Sequence, residues 1–133
     1  MSKAQNEAVK KFQPHLRKVE KLAKKYGLSF IRVFGSMVTA KATPKDIDLV
    51  VGSKTLEYSD LAEFAEELSQ LFQKKVDILQ FHPDMNPLLV KEIVKISVPL
   101  WEKKNKGALD YLFLIERFLS IAEDELLAFP EEM

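Results

Sequence analysis

Val33-Phe34-Gly35-Ser36, nine further residues, and then Asp46-Ile47-Asp48-Leu49-Val50-Val51 form the stretch on which the fold turns. An apolar strand closes on a Gly-Ser turn, and the next apolar strand opens with two acids in alternate positions. Side chains two residues apart on a strand share a face, so Asp46 and Asp48 project together, with Cα atoms about 7 Å apart, while Ile47 enters the core. Like charges held together on a half-buried sheet are unfavourable unless a cation offsets them, which points to Mg²⁺. A third acid, Asp77, lies in the apolar run Lys75-Val76-Asp77-Ile78-Leu79-Gln80-Phe81. There Val76 and Ile78 face the opposite side, and an aspartate so placed needs a partner.

Gly35 lets the backbone approach a phosphate closely. The segment from Ser36 to Lys41 suits a short helix whose free N–H groups would point at the same spot. Amides holding the β- and γ-phosphates, with aspartates holding metals over the α-phosphate, make the arrangement that in-line nucleotidyl transfer requires. Each element also has an ordinary reading: Gly-Ser as a plain turn, Asp-X-Asp as a solvated strand edge, a strand aspartate as a salt-bridge partner. Their succession, each on the appropriate kind of element, is what points to a site.

Outward from this stretch, strands and helices alternate. Apolar residues recur at helical spacing from about Asn6 to Tyr26, with a kink or a helix start expected at Pro14 and a stop at Gly27. Leu28 to Phe34 reads as a strand buried on both faces, and Asp46 to Val51 as a second, ended by Gly52-Ser53. Tyr58 to Phe72 reads as a helix, capped by Ser59 or Asp60; Lys75 to Phe81 is a third strand. A short helix over Leu88 to Lys95, a strand around Val98 to Trp101 and a long helix from Ala108 to about Phe129 complete the chain. The expected class is α/β (α+β), a small mixed sheet with helices packed on it. Residues 1–106 are expected to form the working domain. Residues 107–133 are a C-terminal helix whose apolar positions, among them Leu109, Leu112, Phe113 and Ile115, suit packing on that domain, contact with a partner, or pairing as a homodimer.

The 133 residues fit one domain, and 20 Lys plus Arg against 20 Asp plus Glu give no net field to attract nucleic acid or an anionic membrane. The lysine-rich first helix lacks interleaved aromatics, so it reads as a solvated face and no direct nucleic-acid binding is expected. With no cysteine, disulfides, thiolate metal sites and cysteine nucleophiles are excluded. No window approaches the roughly 18 apolar residues of a membrane span, and the amino terminus has no apolar signal stretch, so a cytoplasmic protein is expected. His15 and His82 lack a second histidine at ligand spacing and read as packing or surface residues. Trp101 reads as a core or edge anchor.

Val33-Phe34-Gly35-Ser36, Lys45-Asp46-Ile47-Asp48-Leu49-Val50-Val51 and Val76-Asp77-Ile78-Leu79 together resemble the signature of the DNA polymerase β-like nucleotidyltransferases, and the compact size is similar to their minimal members, the MNT proteins. The resemblance spans about Leu28 to Trp101. It implies that fold, with Asp46 and Asp48 binding two metals, Asp77 binding one and helping to activate the attacking hydroxyl, and Gly35 and Ser36 binding the triphosphate. It further implies Mg²⁺ and ATP, and an antitoxin that transfers AMP to a tyrosine of a HEPN-domain ribonuclease toxin. The chain departs from many members in carrying Met37 and Ala40 where arginine and glycine are usual, so its triphosphate half differs from theirs while its three acids remain. Two other readings stand beside this one: transfer to a small-molecule hydroxyl, for which the chain lacks a further substrate domain, and neutralisation of a toxin by binding alone.

Overall fold

In the computed structural model, residues 10–34, 46–52, 56–81, 87–104, 106–113 and 115–116 are described. A helix, α1 (Leu16–Lys25), leads into strand β1 (Phe30–Phe34), followed by β2 (Asp46–Gly52), α2 (Tyr58–Phe72), β3 (Lys75–Gln80), α3 (Pro87–Ile96) and β4 (Val98–Glu102). A last helix, α4, is described over 107–113 and 115–116. The strands form one four-stranded sheet in the order β3-β2-β1-β4. β1 pairs antiparallel with β2 and β4, whereas β2 and β3, joined through α2, run parallel. This is the mixed sheet with packed helices that the alternation of elements anticipates.

Local chemistry sets the element ends. Pro14 cannot donate a backbone hydrogen bond, and the helical turn over residues 10–12 tightens at this point into a 3₁₀ turn, Gln13–His15, before α1 begins. Gly27, with φ +67°, stops α1. Leu28 N–H donates to Ala23 C=O at 2.9 Å and Gly27 N–H to Lys24 C=O at 3.2 Å, a Schellman closure of the helix end. That closure occupies Leu28, so β1 starts at Phe30 and not at Leu28. α2 has the bounds its periodicity predicts, but its N-cap is Glu57, without a side-chain cap bond. Ser59 and Asp60 fall inside the first turn instead, where Asp60 favours the positive end of the helix. Gln73, at φ 57°, ends α2 in a left-handed conformation.

Because strand residues alternate, the sheet has two separate cores. On one face Ile31, Val33, Ile47, Leu49, Val51 and Val76 pack with Val19 and Ala23 of α1 and with Phe64 and Leu68 of α2. On the other, Phe30 and Val50 pack with Phe81, with Val90 and Ile93 of α3 and with Tyr111 of α4. Gly52 makes room here: a Cβ at that position would run into the Phe30 ring. Burial at α4 differs from the apolar stripe read in the sequence. Tyr111 is its buried aromatic residue, while Leu109, Leu112 and Phe113 are exposed.

Candidate functional site

Pairing of β2 with β3 decides which side chains meet. The parallel register sets Asp46 beside Lys75, Ile47 beside Val76 and Asp48 beside Asp77. Ile47 and Val76 are buried in the first core, so the charged residues on either side of them emerge together on the opposite face. The three acids named from the sequence thus share one face of two neighbouring strands. Asp46 and Asp48 are half-buried and Asp77 is exposed. Asp48 also lies opposite Phe34, the last residue of β1. Gly35 and Ser36 would follow directly, but both lie outside the described residues, as do Met37 and Ala40.

Electrostatics at the patch are those of crowded negative charge. Burial pushes the Asp48 carboxyl above its ordinary range, Asp77 and Asp46 push it the same way, and Lys75 pulls it down. The Lys75 Nζ is 3.9 Å from Asp77 Oδ1. Among the described residues no three acidic or histidine side chains converge tightly enough to cage a metal by themselves. An open patch of hard carboxylate oxygens nevertheless fits Mg²⁺, which keeps waters and takes one or two carboxylates together with substrate phosphates.

Sequence reasoning passed over a second polar group on this face. Arg32, flanked by Ile31 and Val33, lies opposite Val50, two pairs along from Phe34 and Asp48. Its Nε donates to Ser97 Oγ at 2.8 Å and its Nη2 to Ser97 C=O at 3.0 Å. Nη1 is 3.7 Å from Glu102 Oε1, and the guanidinium carbon stands 4.1 Å from the centre of the Tyr111 ring. Burial lowers its pKa, opposed by Tyr111 and Glu102. Arg32 therefore ties β1 to β4 and α4 beside the acidic patch. A lone arginine in an otherwise apolar strand was the available signal. The Tyr111 hydroxyl is buried with no hydrogen-bond partner among the described residues.

Other expectations resolve simply. His15 packs edge-on against Phe72 at 5.4 Å, a packing role. Trp101 packs against the first core. No helix among the described residues is long and apolar enough to cross a membrane. A cleft of about 380 Å³ is lined by Glu102, Lys103, Lys104, Lys106, Ala108 and Leu109. Glu102 pairs with Phe30, at the opposite end of β1 from Phe34, so this cleft is separate from the acidic patch.

Comparison with known proteins agrees with this geometry. The family model described as polymerase beta nucleotidyltransferase matches residues 17–106. No curated protein matches the chain. Among solved structures, a toxin–antitoxin complex with AMP-PNP aligns with TM-score 0.66 at 23% identity, covering 86% of this chain and 91% of the other. A tri-AMPylated HEPN toxin of Shewanella oneidensis in complex with its MNT antitoxin aligns with TM-score 0.63 at 24% identity, covering 87% and 90%. A candidate minimal nucleotidyltransferase aligns with TM-score 0.58 at 26% identity, covering 69% of this chain and 95% of its own. These likenesses establish a shared fold.

Proposed function

This chain belongs to the polymerase beta nucleotidyltransferase family, and from that membership we propose that it is an antitoxin which moves AMP from ATP to a tyrosine hydroxyl of a HEPN-domain toxin. The observation that carries the reading is the parallel register that pairs Asp48 with Asp77 and leaves Asp46 on the same face. Similar folds occur in a toxin–antitoxin complex with AMP-PNP and in a complex of an MNT antitoxin with an AMPylated HEPN toxin, which supports both donor and partner.

In this proposal Asp46 and Asp48 hold Mg²⁺, with Asp77 as a further ligand, and the metal supplies charge neutralisation of the phosphates and orientation of the reacting oxygens. Gly35 and Ser36 take the triphosphate. The acceptor oxygen bonds to the α-phosphorus while the bond from that phosphorus to the oxygen bridging to the β-phosphate breaks, and pyrophosphate carries away the electron pair. Asp77 accepts the hydroxyl proton; its side chain is 54% exposed, which gives that proton a route to water. Residues 1–106 would carry this chemistry. The final helix, described over 107–113 and 115–116, leaves Leu109, Leu112 and Phe113 exposed, and its expected extension to about Phe129 lies outside the described residues.

The test is to incubate the protein with Mg²⁺, labelled ATP and the product of the neighbouring gene, then to follow AMP on the partner by mass. The combined Asp46→Asn and Asp48→Asn variant is expected to lower the transfer rate by about a thousandfold or more. Equal labelling by wild type and variant would overturn the reading. Neutralisation of the toxin without labelling would favour inhibition by binding.

A further inference from the structure

Lys75 is a charged residue of the acidic patch to which the proposed chemistry gives no role. β3 alternates, with Val76 buried in the first core and Lys75 and Asp77 exposed on the other face. The parallel register seats Lys75 beside Asp46 and Asp77 beside Asp48, on strands about 4.8 Å apart. Its ammonium stands 3.9 Å from the nearest oxygen of Asp77, on the strand that pairs with the one carrying Asp46 and Asp48. With side chains 70% and 54% exposed, this ion pair adds little to folding stability, so stability does not account for it.

We propose that Lys75 is the resident counter-cation of the patch: with no nucleotide bound, its ammonium offsets the carboxylates and competes with a divalent metal for them. A metal is then held well only when polyphosphate oxygens complete its coordination, so that metal and nucleotide enter together. Lysine suits this task because its ammonium is a compact charge on a flexible stem and can withdraw when a doubly charged ion arrives. The inference rests on the metal-dependent reading above and deepens it. Lys75 acts as a positioning residue and makes no claim on the reacting atoms.

The test is a titration of nucleotide-free protein with Mn²⁺, counting the free ion by electron paramagnetic resonance. Lys75→Met is expected to bind Mn²⁺ about three- to tenfold more tightly than wild type at low ionic strength, with the difference shrinking as salt is added. Lys75→Arg, which keeps the charge, and Lys104→Met, at the far end of the sheet, should stay near wild type. Lys75→Gln serves as a second charge-free variant should Lys75→Met fail to fold. If both charge-free variants bind like wild type while Asp48→Asn binds no Mn²⁺, Lys75 is an ordinary edge-strand lysine and this inference alone fails. If wild type and Asp48→Asn bind Mn²⁺ alike even with a non-hydrolysable ATP analogue present, the metal-dependent reading fails and takes the inference with it.

Discussion

Both faces of the sheet bury apolar residues, but one of them also carries charge. Against α1 and α2 the strands present Ile31, Val33, Leu49 and Val51, fully buried, under Val19, Phe64 and Leu68. Against α3 and α4 the same strands present Phe30 and Val50, but also Arg32, and then Asp48 and Asp46 toward the start of β2. A core of the first kind is held by dispersion and the hydrophobic effect, which have no direction and tolerate repacking. The second depends on particular bonds: a guanidinium in a partly desolvated niche needs Ser97, Glu102 and the Tyr111 ring in place. The difference teaches a division of labour, in which one face is given over to stability and the other, besides its own core, holds charge beside the proposed site.

Substitutions can break that contrast. The largest effect on stability is expected from Phe64→Ala, which empties the centre of the first core and should destabilise by about 3–5 kcal/mol in denaturant melts. Its effect on nucleotide chemistry should be confined to the loss of folded protein. Arg32→Ala comes next, at about 2–4 kcal/mol, because it strips Ser97 and Glu102 of a partner and Tyr111 of its stacked cation. Unlike Phe64→Ala, it should also lower transfer per folded molecule by loosening α4 and β1 beside Asp48. Equal specific activity in the two variants would show that the second face is merely another core.

The smallest effect has the opposite sign. Asp48 has a raised pKa in the folded state, so its contribution to stability is fully present at low pH and is lost as pH rises through the folded value. Asp48→Asn should therefore melt at a slightly higher temperature than wild type at neutral pH without metal. The two should converge below the ordinary carboxyl value of 3.8. A variant that melts lower at neutral pH would show that Asp48 is stabilised by something other than a cation. Melting curves across pH in the presence of a chelator decide this.

Much of this architecture was legible in the chain, because period and punctuation carry it. The 3.6-residue spacing of Leu61, Phe64, Leu68 and Leu71 marks α2 to its bounds, and Gly27 marks the end of α1. The three acids were legible because alternation on a strand fixes their face once the strands are recognised. Arg32 was not, since its reason for being buried lies in Ser97, 65 residues away, and no local pattern announces that contact. Tyr111 escaped for a similar reason: α4 is apolar on several sides, and the Phe30 and Phe81 rings, distant in the chain but 5.2 and 6.1 Å from its own, with the Arg32 guanidinium, select the buried one. The place of Lys75 was not legible either, because it depends on the register that sets it beside Asp46 on β2.

The turn between α2 and β3 consists of Gln73 and Lys74 alone, with Gln73 bent into the left-handed region. That short span works as a ruler. Adding one residue to it would advance β3 by half of its pleat, carrying Val76 out to the surface and turning Asp77 inward against Phe64 and Leu68. A two-residue addition would restore the sides but slide Asp77 away from Asp48 along the strand. The length of this connection, as much as the identity of the acids, is thus what the chemistry proposed for this protein is measured against.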